Sequence, residues 1–375
     1  MIEFSSFHMS VPWPLIVAFH AATLLPLVAG LPPIVAIMES VYVMTEREIW
    51  RQIARFWGRL FGIALLTLAI GSFVLIVLHG VDPVRSFRHL HALPELALTL
   101  PAAALLFAGG VALWHRFDDW LDPRRLRHLL VTWLWMALST LLVFGIALVY
   151  GLMDNPAGAC LDSRNLQVRI CDLPAALLNP AAQARFVHLL GASYLTAATL
   201  VLSVSAWYLG HRRNVQIARR SMTVAASFGL AAALSLAVLG ERGAAPLLSW
   251  SFRAMVLLGV CAIALFGVAF WRASRRQLDR RGFLRLAAWS LPVPWVAGAL
   301  GWLVSETGRG PWLVAGLLPA TTTQAGARES AIGVIACAAV AGLSVAGAVL
   351  SLRLMRLGPE GMGIWPADSD MARRY

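Results

Sequence analysis

Charge is what this chain has least of. Only 13% of its 375 residues are Asp, Glu, Lys or Arg, while 59% are hydrophobic and the mean hydropathy is +0.71. A soluble domain carries about a quarter charged residues, so a water-soluble globular fold is excluded and an integral membrane protein is indicated. Lysine is missing altogether: all 31 basic residues are Arg, against 19 acidic ones. That bias reads as genome composition and carries no mechanism. Cysteine is scarce, with 4 residues, and no CxxCH run occurs, which removes covalent attachment of a c-type haem. No linker, low-complexity tract or clear internal repeat interrupts the sequence. It therefore reads as one membrane domain over 1–375, and an inverted-repeat transporter loses its best sequence support. No basic stretch precedes the first apolar segment and no cleavage motif follows it, so that segment is expected to be retained.

Against these absences stand long apolar runs. Windows of about 19 residues give about nine spans, near 12–38, 57–80, 92–114, 128–152, 186–211, 221–241, 249–271, 286–306 and 331–353. The expected fold is an all-α integral membrane bundle of about nine transmembrane helices. The net charge of +12 sits in alternate loops: Arg47, Arg51, Arg55 and Arg59; Arg116, Arg124, Arg125 and Arg127; Arg212, Arg213, Arg219 and Arg220; Arg272, Arg275, Arg276, Arg280 and Arg281; then Arg353, Arg356, Arg373 and Arg374. The positive-inside rule assigns these loops to the cytoplasm, with the N-terminus outside and the C-terminus inside. The charge is thus a topology signal with affinity for anionic lipid, and nucleic acid is not the expected partner.

The longest connection, 153–185, then faces outward. Its Pro156, Pro174 and Pro180 predict a folded loop with short helical pieces. Cys160 and Cys171 share it, either as free thiols or as a disulfide. Cys261 and Cys337 lie within spans as small apolar residues. Most of the 15 Trp residues, Trp57, Trp114, Trp250 and Trp271 among them, suit an interfacial belt.

Five ionisable residues fall inside or at the ends of spans, all toward the outer face: His20, Glu95, His188, Arg253 and Glu306. Each costs roughly 2.5–3.5 kcal/mol on insertion, so a shared buried site is expected. With Met255 two positions beyond Arg253, the inventory is that of axial haem ligands. A His in a membrane helix can also serve only as an interhelical hydrogen-bond partner, and a Met as plain core. Arg253 either pairs with a haem propionate or snorkels to headgroups. Glu95 is either a proton relay or a solvated boundary residue, and Glu306 either a ligand or a span edge. Gly308 and Gly310 around Arg309 allow close backbone approach, which suits a packed lid. Glu39, Glu46 and Glu48 are expected in a solvated, salt-bridged cytoplasmic loop.

Several long stretches resemble subunit I of the cytochrome bd quinol oxidases over nearly the whole chain: FHAATLLPLVAGLPPIVAIMESVYVMTEREIWRQIARFWGRLFGI, QARFVHLLGASYLTAATLVLSVSAWYL, RRSMTVAASFGLAAALSLAVLG, WSFRAMVLLG and PVPWVAGALGWLVSETGRGPWLVAGLLPA. The resemblance implies three haems near the outer face. His188 and Met255 match the axial ligands of a low-spin haem b, with Arg253 beside them. His20 and Glu306 match the ligands of a high-spin haem b and a haem d, with the assignment between them open. Glu95 matches a carboxylate near the oxygen-reducing site, and Arg309 and Trp312 match the motif that closes the pocket. The implied reaction is quinol oxidation coupled to O2 reduction to water, in the bacterial cytoplasmic (inner) membrane, with a subunit II-like membrane partner.

Departures from the family pattern concern the electron donor and the proton route. The loop associated with quinol binding shrinks to about ten residues at 241–250, and a second carboxylate of the third helix is replaced by Ala103. The family's GRQPW reads Gly308-Arg309-Gly310-Pro311-Trp312. The expected function is a haem-carrying terminal oxidase subunit fed by quinol or another donor. The alternative is a non-catalytic haem-binding electron conduit or sensor on the same scaffold.

Overall fold

A computed structural model describes residues 13–80, 125–162, 167–239, 250–309, 312–319 and 327–361. The third expected span at 92–114, with Glu95 and Ala103, lies outside the described residues, as does most of 241–250. The long helices are α1 (Trp13–Thr45), α2 (Glu48–Gly80) and α3 (Arg125–Asp154). A hairpin of β1 (Ala159–Asp162) and β2 (Gln167–Ile170) and a short α4 (Leu173–Leu177) follow. Then come α5 (Pro180–Gly210), α6 (Val215–Leu239) and α7 (Trp250–Ser274). After these stand α8 (Arg281–Trp289), α9 (Val293–Arg309), the small β3 (Trp312–Val314) and β4 (Leu318–Pro319), and α10 (Ala327–Gly361). Among the described residues, 8 segments are long and apolar enough to cross a membrane. The chain is therefore a multi-pass, all-α membrane bundle.

The centre of the bundle is α1 and α5. Both pack against α3, and α1 adds α2 while α5 adds α6 and α8. The approach of α1 to α5 is close because of Gly30. A Cβ there would fall 2.2 Å from the Ser193 carbonyl oxygen and 2.6 Å from Ala197 Cβ. Small residues that let helix backbones touch are the main packing device where lipid supplies no hydrophobic contrast. Pro26, Pro32 and Pro33 sit inside α1 without ending it. Each removes one N–H donor, a loss that tight neighbouring helices tolerate.

On α3, His128, Thr132, Trp135, Ser139 and Val143 are buried at helical spacing and so form one inward stripe. Trp57 Nε1 donates to Ser221 Oγ at 3.0 Å, joining α2 to α6 in the core. The Tyr208 hydroxyl donates to the Met355 carbonyl at 2.5 Å, while Arg213 reaches the carbonyls of Arg356 and Leu357. These donors satisfy the end of α10 where Gly358, at φ +70°, turns the chain.

One sequence expectation is refined and one needs correction. The eighth span, expected near 286–306, is present as a crossing segment over Arg281–Ser305, and its helix is interrupted at Ser290–Pro292 between α8 and α9. Pro292 and Pro294 together withdraw two N–H groups, and the Ser290 hydroxyl bonds back to the Ala287 carbonyl, ending α8 there. α8 buries Phe283, Leu284 and Ala287 against α5 while Arg281 and Arg285 stay exposed.

Glu39 is not in a solvated loop. α1 runs on to Thr45, and Glu39 is fully buried, facing His128 and Thr132 of α3. The apolar stretch before it made it look like a span terminus, but the partners that let it stay inside lie 89 and 93 residues away. Glu46 and Glu48 do behave as expected: both are largely exposed and paired with Arg125 at 2.5 Å and Arg51 at 3.3 Å.

The 153–185 connection is a β-hairpin followed by a single short helix. Cys160 on β1 and Cys171, the residue after β2, are joined by a disulfide. Asn179 is buried at the N-cap of α5; it accepts from the Ala181 N–H and donates to the Asn155 carbonyl at 2.6 Å. That tie fixes where α5 enters relative to the end of α3.

Candidate functional site

The site is built at the end of the bundle opposite the arginine-rich links. His188 lies in the third turn of α5 and is half-buried, with its Nδ1 atom buried. Met255 lies in the second turn of α7, also half-buried. Its sulfur points at α9: a Cβ placed on Gly301 would come 3.1 Å from Met255 Sδ. Glycine at 301 is thus what lets the thioether approach that helix.

One turn before His188, Arg185 binds three helix ends together. It is ion-paired with Asp154 at the end of α3 and donates to Ser305 Oγ on α9 at 3.0 Å. Its guanidinium also lies 5.7 Å from the centre of the Tyr150 ring. A planar, permanently charged donor fork suits such a three-way clasp better than an ammonium would. The start of α9 is tied to α1 in the same way: Trp295 Nε1 donates to the Thr23 carbonyl at 3.1 Å. β3 and β4 close over this end, with Ala315 N–H donating to the Met153 carbonyl at 2.9 Å.

The remaining expected residues fall on the same elements. His20 lies on α1, one turn from Thr23 toward this end, and Glu306 and Arg309 lie in the last turns of α9. The side chains of these three lie outside the described part. Glu306 directly follows Ser305, the residue held by Arg185. Trp312 is on β3 opposite Pro319, 38% exposed, and Arg253 is exposed in the first turn of α7. α9 is the shared wall: it meets His188's helix through Ser305 and Met255 through Gly301.

The helices carrying His188 and Met255 do not pack extensively on each other. Each packs instead on α6 and α9. A Cβ added at Gly259 on α7 or at the exposed Gly298 on α9 would meet nothing within 4 Å. Among the described residues no three His, Cys, Asp or Glu side chains gather as a metal cluster. Single His and Met donors on separate helices are residues that would hold a haem iron. His and Met chemistry, the small residues at 259, 298 and 301, and a cation at 253 all fit a haem.

Arg185, Asp154 and Ser305 were not singled out by sequence reasoning. A cation three residues before a candidate ligand in RFVHLL was the available signal, but Arg at a span edge ordinarily marks a headgroup boundary.

Comparison with known proteins agrees with this architecture. The profile of the family described as cytochrome bd terminal oxidase subunit I matches residues 13–79, 114–249 and 241–359. The chain is 23% identical to subunit 1 of the cytochrome bd-II ubiquinol oxidase of Escherichia coli (strain K12), over 92% of its own length and 95% of that protein. It is 24% identical to subunit 1 of the cytochrome bd ubiquinol oxidase of Bacillus subtilis (strain 168), over 80% and 81% respectively. In three dimensions it is similar to the bd oxidase from Geobacillus thermodenitrificans. The TM-score is 0.76 at 18% identity, covering 92% of this chain and 98% of that one.

Proposed function

The chain belongs to the cytochrome bd terminal oxidase subunit I family, and we propose that it is the haem-carrying subunit of a bd-type oxidase that passes electrons from quinol to O2. As a member of that family it is an oxidoreductase subunit of a terminal oxidase. The observation that carries the finer reading is the separation of α5 from α7, with His188 and Met255 at the same end and α9 as their common wall. In this reading His188 and Met255 hold a low-spin haem b, and His20 and Glu306 hold a high-spin haem b and a haem d. Bound there, these groups supply one-electron transfer and the binding and reduction of O2.

The protein's own residues do the rest. His188 supplies a neutral imidazole donor, and Met255 a thioether that favours a higher reduction potential. Arg253 and Arg309 balance propionate charge, and Trp312 covers the pocket. Glu95 delivers protons. Arg185 keeps α3, α5 and α9 in register, so that a ligand on α5 and one on α9 hold a constant separation. The arginine-rich end faces the cytoplasm, and the 153–185 connection with its disulfide faces outward in the bacterial cytoplasmic membrane. A subunit II-like partner covers part of the apolar surface of α7, α9 and α10, whose faces are mostly exposed.

A second reading is supported by the interval between α6 and α7. α6 ends at Leu239 and α7 starts at Trp250, which leaves little chain to enclose a quinol. On that reading the subunit is a haem-binding electron conduit or sensor that does not turn over O2. Two measurements on the purified complex separate the cases. A reduced-minus-oxidised spectrum with haem extraction should give b-type bands and a red-shifted chlorin band, and O2 consumption should follow addition of quinol. Haem b alone without O2 consumption supports the conduit, and absence of haem overturns both.

A further inference from the structure

A second polar site lies at the other, arginine-rich end of the bundle, far from any residue assigned to haem. Glu39 is fully buried on α1, about 28 Å along the helix from His20 at 1.5 Å per residue. Its Oε1 atom is 2.5 Å from His128 Nδ1, and its Oε2 accepts from Thr132 Oγ1 at 2.7 Å. His128 is 4% and Thr132 1% exposed. The two α3 residues are four apart, so both reach one carboxylate from a single helix face. A carboxyl group and an imidazole sharing one short hydrogen bond have a choice of proton positions that no Ser, Asn or Gln pair offers. Helix pinning alone needs no ionisable pair, and such a pair costs more to bury than a neutral one.

Titratable groups at this end of the helices packed near the pair include Tyr42 on α1, Arg51, Arg55 and Arg59 on α2, Arg125 and Arg127 on α3, Tyr208 and His211 on α5, and Arg220 on α6. Arg51 is engaged with Glu48, Arg125 with Glu46, Tyr208 with the Met355 carbonyl and His211 with the Trp207 carbonyl. Going away from this end, buried hydroxyls continue on α3 at Ser139 and on α5 at Thr199, Thr196 and Ser193, the last five residues from His188. Each donates to its own helix backbone, which leaves its oxygen available as an acceptor.

We propose that Glu39, His128 and Thr132 form a proton-holding site that takes protons from the arginine-rich side and supplies them, along the α3–α5 face, to oxygen reduction at the opposite end. The proposal rests on the oxidase reading for its destination. Reduction of one O2 to two waters consumes four electrons, drawn from the quinol donor, and four protons; Glu39–His128 holds one of those protons at a time.

The test uses the purified complex and the variants Glu39→Gln, which keeps shape and hydrogen bonding, and Thr132→Val, which leaves the carboxyl group and the imidazole in place. Infrared difference spectra between two pH values should contain a carboxylic-acid C=O band that vanishes in E39Q and shifts in T132V. With haem spectra unchanged, O2 consumption in E39Q should fall by roughly tenfold or more, with an altered pH profile. A wild-type complex that shows the band but no O2 consumption would sink the oxidase reading and leave the proton site standing. An identical infrared spectrum in E39Q, or in T132V should E39Q not assemble, would overturn the site itself. So would unchanged turnover and pH profile in E39Q with normal haem content.

Discussion

The two ends of this bundle solve the burial of polar groups in opposite ways. At the arginine-rich end, Glu39 meets His128 and Thr132, and each buried group finds its partner within the chain. At the other end, the Met255 sulfur packs close against Gly301, and the helices bearing His188 and Met255 make little contact with each other. The first end is complete as protein; the second is where the proposed function puts a cofactor. Helix burial follows the same division. In α1, 72% of the most apolar stretch is buried inside the chain, against 17% in α7 and 11% in the segment spanning α8 and α9. The chain thus folds around α1 and α5 and leaves α7 and α9 as walls for other occupants.

The largest expected effect comes from removing a donor at the open end. His188→Ala should abolish the sharp reduced bands of the low-spin haem, and Met255→Leu, similar in volume, should leave a five-coordinate haem with a shifted potential. Spectra unchanged in both would erase the distinction between the two ends. At the closed end, Glu39→Ala strands a buried imidazole and should cost roughly 3–5 kcal/mol, read as a lowered thermal midpoint of the solubilised complex. A midpoint equal to the wild type would mean that Glu39 is solvated after all.

Arg185→Ala should fall between these and a silent change. Breaking its pairing with Asp154 and Ser305 should cost roughly 1–3 kcal/mol and broaden the haem spectrum without abolishing it, since α5 and α9 lose their clasp. Loss of stability with an unaltered spectrum would make the clasp structural only. The smallest effect belongs to the exposed ion pair of Arg125 and Glu46, where Arg125→Ala should leave the thermal midpoint unchanged. A clear drop there would show that this end relies on its surface arginines as well as on its buried pair.

Much of this was legible in the residues themselves. Apolar runs located the helices, and the motifs around His188, Met255 and Glu306 pointed to haem and to the family. Cys160 and Cys171, left open between thiols and a disulfide, are bonded because the pairing of β1 with β2 brings Cys160, on β1, near Cys171, just past the end of β2. The differences have physical causes. Glu39 was read as solvated because it ends an apolar run, and its nearer partner lies 89 residues away in sequence. The eighth span was read as continuous because hydropathy averages over about 19 residues and so smooths across a two-proline break.

By itself, then, the sequence determined that the chain lives in a membrane and about how many times it crosses. Hydropathy and charge are local sums, and a bilayer sorts helices by such sums. What only the tertiary structure decided is which faces meet. The helices here are apolar nearly all round, so periodicity does not mark an inward side. Close approach at residues such as Gly30 sets the rotation and spacing of each helix against its neighbours. That rotation turns Glu39 toward His128, brings Arg185 to Ser305, and holds α5 away from α7.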